Sequence, residues 1–490
     1  MSTSAPPPLD LNNIQGDILV GIAKKTETYY FFQIDSSRVN DFRKQLSQLV
    51  PLIYTSAKSQ DDKKKIADRK RTDAGLLKIG GVNIVFSRKG LNLLGIKDNT
   101  GDTAFEAGML AGAKDLHDNG TTTPDNKFDP DWIPAFKKQI HGLVLVSADS
   151  HQTVDESLRK VEQIFKVGTP NATIYQVLRL VGDVRPGNEA GHEHFGFLDG
   201  VSQPAVDGVD NHLPGQDVVR QGIILVGRQG DVTTTRPAWA LDGSFLAFRY
   251  LPQLVPEFNA FLKANPVPGV LPPDFASDLA GARLVGRWKS GAPIDIAFAA
   301  DNPTLGADKQ NNDLFRYNFD FDQDIQSQAR CPFAAHTRKT NPRADLDQFG
   351  GTELKRILRR GIQFGPELTA EEISLGRTQK DRGLLFAAYQ SNIPNGFQFI
   401  QQSWANNVTF PPGKKDQKTG GTIQAGFDPI IGQAGPGLPR TMNGFDPKAQ
   451  STNLSLTAEW VLSKGGEYFF SPSLPTLKNV FALPADQREL

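Results

Sequence analysis

The chain has almost no cysteine: a single residue, Cys331, among 490. One thiol cannot close a disulfide within the chain. It also cannot supply the several thiolates that a zinc ribbon or an iron–sulfur cluster requires. These classes of protein are therefore excluded, whereas a role for Cys331 as a lone metal ligand stays open.

Net charge and long apolar runs are also missing. Basic and acidic side chains balance at 54 each, without the basic excess typical of nucleic-acid-binding proteins. No stretch approaches the roughly 20 apolar residues that span a bilayer, so we expect no membrane partner. Residues 1–10 are rich in Ser and Pro and lack the basic start and apolar centre of a signal peptide.

The length of the chain exceeds the roughly 250–300 residues at which one hydrophobic core stops growing, so two domains are expected. Short runs of β-branched and aromatic residues at 29–34, 142–146 and 245–251 predict strands. Residues 39–49 and 154–165 carry apolar side chains at helical spacing. This alternation predicts an α+β or α/β protein.

Residues 183–214 are rich in Gly, Pro, Asp and His and predict a long ordered loop, which in a compact protein is usually functional. Asp199 follows Phe197 and Leu198, so it is either a turn residue or an acid in a partly dry cavity. His192 and His194 lie two residues apart and with Asp199 could form a non-haem metal site. The alternative is that both are hydrogen-bonded loop histidines.

Two further segments carry candidate side chains. His336 has small residues before it and three cations after it, which would suit a flat macrocycle with carboxylate substituents; the alternative is a structural histidine. The stretch 347–360 predicts a helix with Arg359 in its last turn. Arg359 would either compensate the helix dipole or turn inward and stabilise an oxygen anion.

Taken together, the segments resemble the dye-decolorizing peroxidases, and the fungal members most closely. The matching segments, in chain order, are 11–19 (LNNIQGDIL), 195–204 (FGFLDGVSQP), 335–339 (AHTRK), 357–365 (ILRRGIQFG), 384–390 (LLFAAYQ), 404–407 (WANN) and 426–432 (GFDPIIG). One departure stands out. The family often has Pro-Tyr where this chain has Gln363 and Phe364, and Phe lacks the phenol that can carry a radical or bind substrate.

The resemblance implies an α+β fold of two ferredoxin-like domains of the dimeric α+β barrel type, each an antiparallel sheet with helices. The N-terminal domain, 1–215, would end in the loop that carries Asp199. The C-terminal domain, 216–490, would bind haem.

The resemblance also implies one haem b per chain, with His336 rather than Cys331 as the axial ligand of the iron. Asp428 would accept the second imidazole N–H and strengthen the ligand. Asp199 would move the proton of hydrogen peroxide, and Arg359 would stabilise the charge that develops as the O–O bond breaks.

Four more residues acquire roles from the resemblance. Arg338 would bond a haem propionate. Leu384 and Phe386 would line a narrow cavity above the haem that admits peroxide and excludes a dye. Bulky donors would then be oxidised at the haem edge or through Trp404, at the family's position for surface electron transfer.

The implied function is a peroxidase that oxidises anthraquinone dyes, phenols and other bulky aromatic donors by one-electron steps through a ferryl intermediate. The expected partners are hydrogen peroxide and aromatic reductants, with no nucleic acid and no membrane. We expect a monomer or weak homodimer that is secreted, with a cytoplasmic location as the alternative. The competing function is haem binding or transport without turnover.

Overall fold

The computed structural model describes residues 7–72, 75–317, 324–416 and 419–487. Residues 1–6 of the Ser- and Pro-rich N-terminus lie outside this part. Within it, nine strands form one large sheet in which all pairings are antiparallel. The strands are β1 (Thr26–Ile34), β2 (Gly80–Phe86), β3 (Gly142–Ala148), β4 (Ile174–Asp183), β5 (Ser244–Pro252), β6 (Leu358–Arg359), β7 (Ile362–Phe364), β8 (Gly383–Gln390) and β9 (Gly466–Ser471).

The two halves of the chain contribute separate parts of this sheet. The order is β6–β8–β5–β9–β2–β3–β1–β4, and β7 pairs with β8. Strands β1 to β4 are therefore contiguous, and β9 joins the second group to the first where Phe470 pairs with Phe86. The predicted antiparallel α+β fold is confirmed. The predicted domain boundary at 215 falls between β4 and β5 and stays a prediction.

Helices and turns surround the sheet. The longer helices are α1 (Val39–Leu49), α2 (Ser56–Thr72), α3 (His151–Ile164), α4 (Val255–Ala264) and α5 (Pro273–Val285), and the short α6 (His336–Thr340) starts at a candidate site residue. Shorter turns are Arg88–Leu93, Thr103–Ala107, Pro303–Ala307, Ala370–Leu375 and Phe397–Phe399, the last continuing as a π-helix over Ile400–Ala405. No helix of the described residues is long and apolar enough to cross a membrane.

The helix predicted over 347–360 is wrong. A 3-10 turn, Arg343–Phe349, ends at Gly350 and Gly351, which have φ of 91° and 78°. Glycine adopts this left-handed conformation without the steric cost that side chains impose, so the helix stops there. Arg359 consequently lies on β6 and pairs with Ala388 of β8.

Phenylalanine rings hold the two halves together. The ring of Phe248 on β5 lies 5.1 Å from Phe31 on β1 and 5.9 Å from Phe136, and all three rings are buried. Such rings bury a large apolar area without a polar group that needs a partner. This packing presses β5 against the first half of the chain, while neighbouring residues of β5 line the cavity described next.

Candidate active site

A cavity of about 280 Å³ lies where segments distant in the sequence converge. One wall is the loop of residues 193–204, another is formed by residues of β5 and β8, and α6 contributes residues from a third direction. The volume is close to the lower end of the range for small-molecule and cofactor sites, roughly 300–1,000 Å³. The predicted site residues that line it are Asp199, His336, Arg359, Leu384 and Phe386.

Asp199 and Arg359 form a charged pair inside the cavity. The Nη1 of Arg359 donates to Oδ1 of Asp199 at 2.6 Å, and its Nη2 donates to the carbonyl of Val201 at 2.9 Å. The backbone N–H of Gly200 donates to the same Oδ1 at 2.6 Å. Burial opposes ionisation of Asp199, but the Arg359 guanidinium outweighs it, so the pKa of this carboxyl lies below its ordinary value.

His336 begins α6 and is oriented by a buried carboxylate. Its Nδ1 lies 2.8 Å from Oδ2 of Asp428, which is fully buried. The backbone N–H groups of Ile430 and Ile431 donate to the other oxygen of Asp428 at 2.8 and 3.0 Å. Burial lowers the pKa of the imidazole and the charge of Asp428 raises it; the second effect is larger, and the pKa is raised.

These hydrogen bonds decide which imidazole nitrogen is available. A carboxylate can only accept, so Nδ1 of His336 carries the hydrogen that points to Asp428. The neutral ring then keeps its lone pair on Nε2, which makes no hydrogen bond to any residue that the structure describes. His336 lines the cavity, and the charges of Asp199 and Arg359 act on its pKa. The site therefore has an available metal-ligand nitrogen and, within electrostatic range of it, a charged acid–arginine pair.

One end of the cavity is strongly basic. Arg287 and Arg343 share a single carboxylate oxygen of Asp313 at 2.7 and 2.6 Å, and both also contact the hydroxyl of Ser202. Arg356 lines the same cavity. Two guanidinium groups on one carboxylate leave an excess of positive charge, which suits a ligand with carboxylate groups.

Arg338 does not lie in the cavity, so its predicted contact with a propionate is corrected. Its guanidinium forms two hydrogen bonds to Asp345, at 2.7 and 2.9 Å, and a third to the carbonyl of Cys331. The side chain is 1% exposed. Arg343, which belongs to the same cationic segment of the sequence, reaches the cavity instead.

Trp404 is not a surface residue, which corrects the expected exposure of its ring. Its exposed fraction is 3%, because Phe410 stacks on the indole at 5.2 Å and Phe399 meets it edge-on at 5.6 Å. The carbonyl of Trp404 accepts from the ammonium of Lys339 on α6 at 3.1 Å. Trp404 thus belongs to a buried aromatic cluster beside the helix of His336.

The alternative ligands are not brought together. The Nε2 of His194 lies 2.8 Å from the carbonyl of Phe364, and burial lowers the pKa of this imidazole to about 4. Among the described residues, no group of three His, Cys, Asp or Glu side chains could hold a metal ion. Cys331 does not line the cavity, and burial raises the pKa of its thiol to about 12.

Sequence reasoning missed Glu193, which holds the loop that carries Asp199. Its two oxygens accept from the backbone N–H groups of Phe195 and Phe197 at 2.8 and 2.9 Å, and one also accepts from Gln253 at 2.6 Å. Burial raises the pKa of this carboxyl, although the three donors act against the rise. Its position between His192 and His194 drew attention to the histidines, and the acid itself gave no separate signal.

Comparisons with known proteins show the family to which this chain is similar. The family model of the DyP dimeric alpha+beta barrel domain matches residues 13–186, and that of the Dyp-type peroxidase C-terminal domain matches residues 285–417. A dye-decolorizing peroxidase of Auricularia auricula-judae is 42% identical over 96% of this chain and 86% of its own length. Peroxidase 2 of Mycetinis scorodonius is 41% identical over 97% and 88%. The structure of an ancestral D-type dye decolorizing peroxidase superposes with a TM-score of 0.91, at 57% identity, and covers 97% of this chain and 100% of that one.

The Asp428–His336 contact yields a first prediction. Replacing Asp428 by Asn removes the charge that raises the pKa of His336 and leaves the burial that lowers it. We therefore expect the Asp428→Asn variant to show a lower imidazole pKa, measured by NMR titration with the cavity empty. Asp347→Asn, which removes a carboxylate from a surface pair with Arg316, is the control and should leave the His336 titration unchanged. An unchanged imidazole pKa in Asp428→Asn would contradict the conclusion that the charge of Asp428 raises the pKa of His336.

Proposed function

The chain belongs to the dye-decolorizing peroxidases, and from this membership we propose that its cavity holds one haem b, with His336 as the axial ligand. The protein is an enzyme that uses hydrogen peroxide to oxidise reducing substrates. We assign to it dyes of the anthraquinone type, phenols and other bulky aromatic donors. The observation that carries the proposal is the free Nε2 of His336 in the same cavity as the Asp199–Arg359 pair.

The residues of the cavity fit a haem. Apolar side chains, among them Val285, Ile430 and Val461, line the cavity and suit the faces of a flat ring. Arg287 and Arg343, two cations on the single carboxylate of Asp313, have the charge that haem propionates require, in place of Arg338, whereas Arg356 already pairs with Asp217. Asp428 makes the imidazole a stronger donor, as carboxylates behind metal-bound histidines do. When bound, the haem iron supplies the redox centre at which the O–O bond of peroxide is cleaved.

The acid–arginine pair performs the proton and charge steps. Oδ1 of Asp199 already accepts from Arg359 and from Gly200, so Oδ2 is the oxygen that takes a proton from peroxide. The low pKa of Asp199 keeps it ionised and ready as a base. Asp199 then returns the proton to the outer oxygen, which leaves as water, while Arg359 donates to the negative charge that develops there. This pair has no evident use in a protein that only carries haem.

Bulky donors cannot use the route by which peroxide enters the cavity. Leu384 and Phe386 narrow the cavity, so a large dye is oxidised from outside it. We propose that Trp404 relays electrons on the side of α6. Since its ring is buried, a donor contacts the edge of its aromatic cluster rather than the indole itself.

The remaining parts of the proposal concern the protein as a whole. We propose an N-terminal domain of residues 1–215 and a haem-binding domain of residues 216–490. We further propose that the protein is secreted and acts as a monomer or weak homodimer.

The axial ligand can be tested by substitution. We expect His336→Ala to lose or severely weaken haem binding while the first half of the chain, with strands β1 to β4, stays folded, because His336 lies on α6 in the second half. The absorption band near the blue edge of the visible spectrum, measured on purified protein loaded with haem, reports the loss. His151→Ala, at an exposed histidine of α3, is the control and should bind haem fully. Full haem occupancy with an unchanged spectrum in His336→Ala would rule this ligand out.

The acid–arginine pair yields a prediction with a pH signature. Asp199→Asn should slow the reaction with peroxide by about 10²–10⁴-fold with every donor, because all donors depend on the same first step. Arg359→Leu should slow it by about 10²–10³-fold. It should also move the acid limb of the pH–rate profile to higher pH. The rate falls as the carboxylate of Asp199 is protonated, and the Arg359 guanidinium is the group that lowers the pKa of this carboxyl.

Stopped-flow measurement of the second-order rate constant for peroxide, between acidic and neutral pH, checks both variants. Asp347→Asn again serves as the control, because it removes an exposed carboxylate that does not line the cavity. If Asp199→Asn reacts with peroxide at the rate of the parent, another group transfers the proton. An unshifted acid limb in Arg359→Leu would show that the pair does not set the pKa of the base.

A further inference from the structure

A tyrosine lies directly behind the cavity wall. Tyr250 is on β5 between Arg249 and Leu251, which both line the cavity. Because successive side chains of a strand point to opposite faces, the ring of Tyr250 lies on the other face of the sheet. There it stacks on Phe364, with ring centroids 4.9 Å apart and an angle of 30°, and contacts Phe136 at 6.4 Å.

The hydroxyl of Tyr250 has a proton acceptor at the protein surface. It donates a hydrogen bond to Oδ2 of Asp381, a residue exposed to solvent just before β8. Burial and this carboxylate both raise the pKa of the phenol, which therefore stays protonated at neutral pH. A phenol that loses an electron becomes a strong acid, so a hydrogen-bonded carboxylate makes the oxidation easier by taking the proton at the same time.

Tyr317, Tyr54 and Tyr175 do not combine these features, and Tyr29 and Tyr389 are fully buried, away from the surface. Tyr317 lines the cavity, but its hydroxyl donates to no carboxylate within the part of the chain that the structure describes. Tyr54 and Tyr175 donate to Asp62 and Asp35, but neither lies beside the cavity wall. Tyr250 has both the cavity on the far side of its own strand and a base at its hydroxyl.

We propose that Tyr250 and Asp381 form a redox-active site at which bulky aromatic donors are oxidised, on a different side of the cavity from Trp404. The inference rests on the proposed function, because the peroxide reaction supplies the oxidant. One electron passes from the phenol of Tyr250 through β5 to the oxidised cofactor, and its proton passes to Asp381. The neutral phenoxyl radical then takes one electron from a donor at the surface. Asp381 returns the proton, and the donor leaves oxidised by one electron.

The position of the pair suits this use. Tyr250 is only 7% exposed, which protects a radical from side reactions. Asp381, which accepts the hydrogen bond of its hydroxyl, is exposed to solvent. A donor too large for the cavity can approach there. Phe364, stacked on the ring, keeps the phenol rigid and its surroundings apolar.

The experiment uses electron paramagnetic resonance on the haem-loaded, full-length protein, frozen after one equivalent of hydrogen peroxide without a donor. We expect a tyrosyl signal in the parent, its loss in Tyr250→Phe, and a much lower yield in Asp381→Asn, which keeps the ring but removes the base. Tyr175→Phe is the matched control, because it also removes a hydroxyl bonded to an aspartate. It should keep the signal.

Turnover of a large anthraquinone dye and of a small phenol completes the test. Tyr250→Phe should lower kcat for the dye more than kcat for the phenol, and Tyr175→Phe should change neither. A tyrosyl signal that survives in Tyr250→Phe, or forms at the parental rate in Asp381→Asn, would overturn the proposal. So would a parent that consumes peroxide with the small phenol but forms no tyrosyl radical. A parent that binds haem and leaves peroxide untouched would instead overturn the proposed function, and this inference with it.

Discussion

The hydrogen bond between His336 and Asp428 is the constraint on which the site depends. It joins two segments 92 residues apart, and the carboxylate that makes it is completely buried and held by two backbone N–H groups. A buried carboxylate is tolerated only where such donors compensate its lost hydration. Here they fix the direction of the imidazole, so that Nδ1 is occupied and Nε2 is left for a ligand bond.

The other functional groups of the cavity differ in their net charge. Asp199 and Arg359 neutralise each other and come from two parts of the chain, a long loop and the short strand β6. The basic end, with Arg287 and Arg343 on one shared carboxylate, has a positive excess. The imidazole of His336, the Asp199–Arg359 pair and the arginine-rich end thus line one cavity, as the proposed haem peroxidase requires.

Local sequence predicted the parts of this site that are contained in short segments. The apolar spacing of 39–49 and the β-branched runs at 29–34 and 142–146 correspond to α1, β1 and β3, because these patterns depend on neighbouring residues alone. The segments around Asp199, His336 and Arg359 were recognisable as a set, and the structure brings these three side chains to one cavity.

The parts that failed depend on contacts between individual side chains, which a pattern of residue types does not show even where the partners are close in sequence. Arg338 and Arg343 are both cations after His336, and only the position of Asp345 directs the first inward and away from the cavity. The burial of Trp404 is due to Phe399 and Phe410 folding over it, which its own segment does not reveal. Gly350 and Gly351, directly after Phe349, end the helical turn. The apolar spacing on either side of them nevertheless predicted a helix that runs through both positions.

The central claim is that this cavity binds a haem through His336 and uses it to cleave hydrogen peroxide. The most direct measurement is the visible absorption spectrum of the purified protein before and after one equivalent of peroxide. The account predicts a haem band that shifts on addition of peroxide and returns when an aromatic donor is added. A protein without a haem band, or one whose haem band does not respond to peroxide, would contradict it.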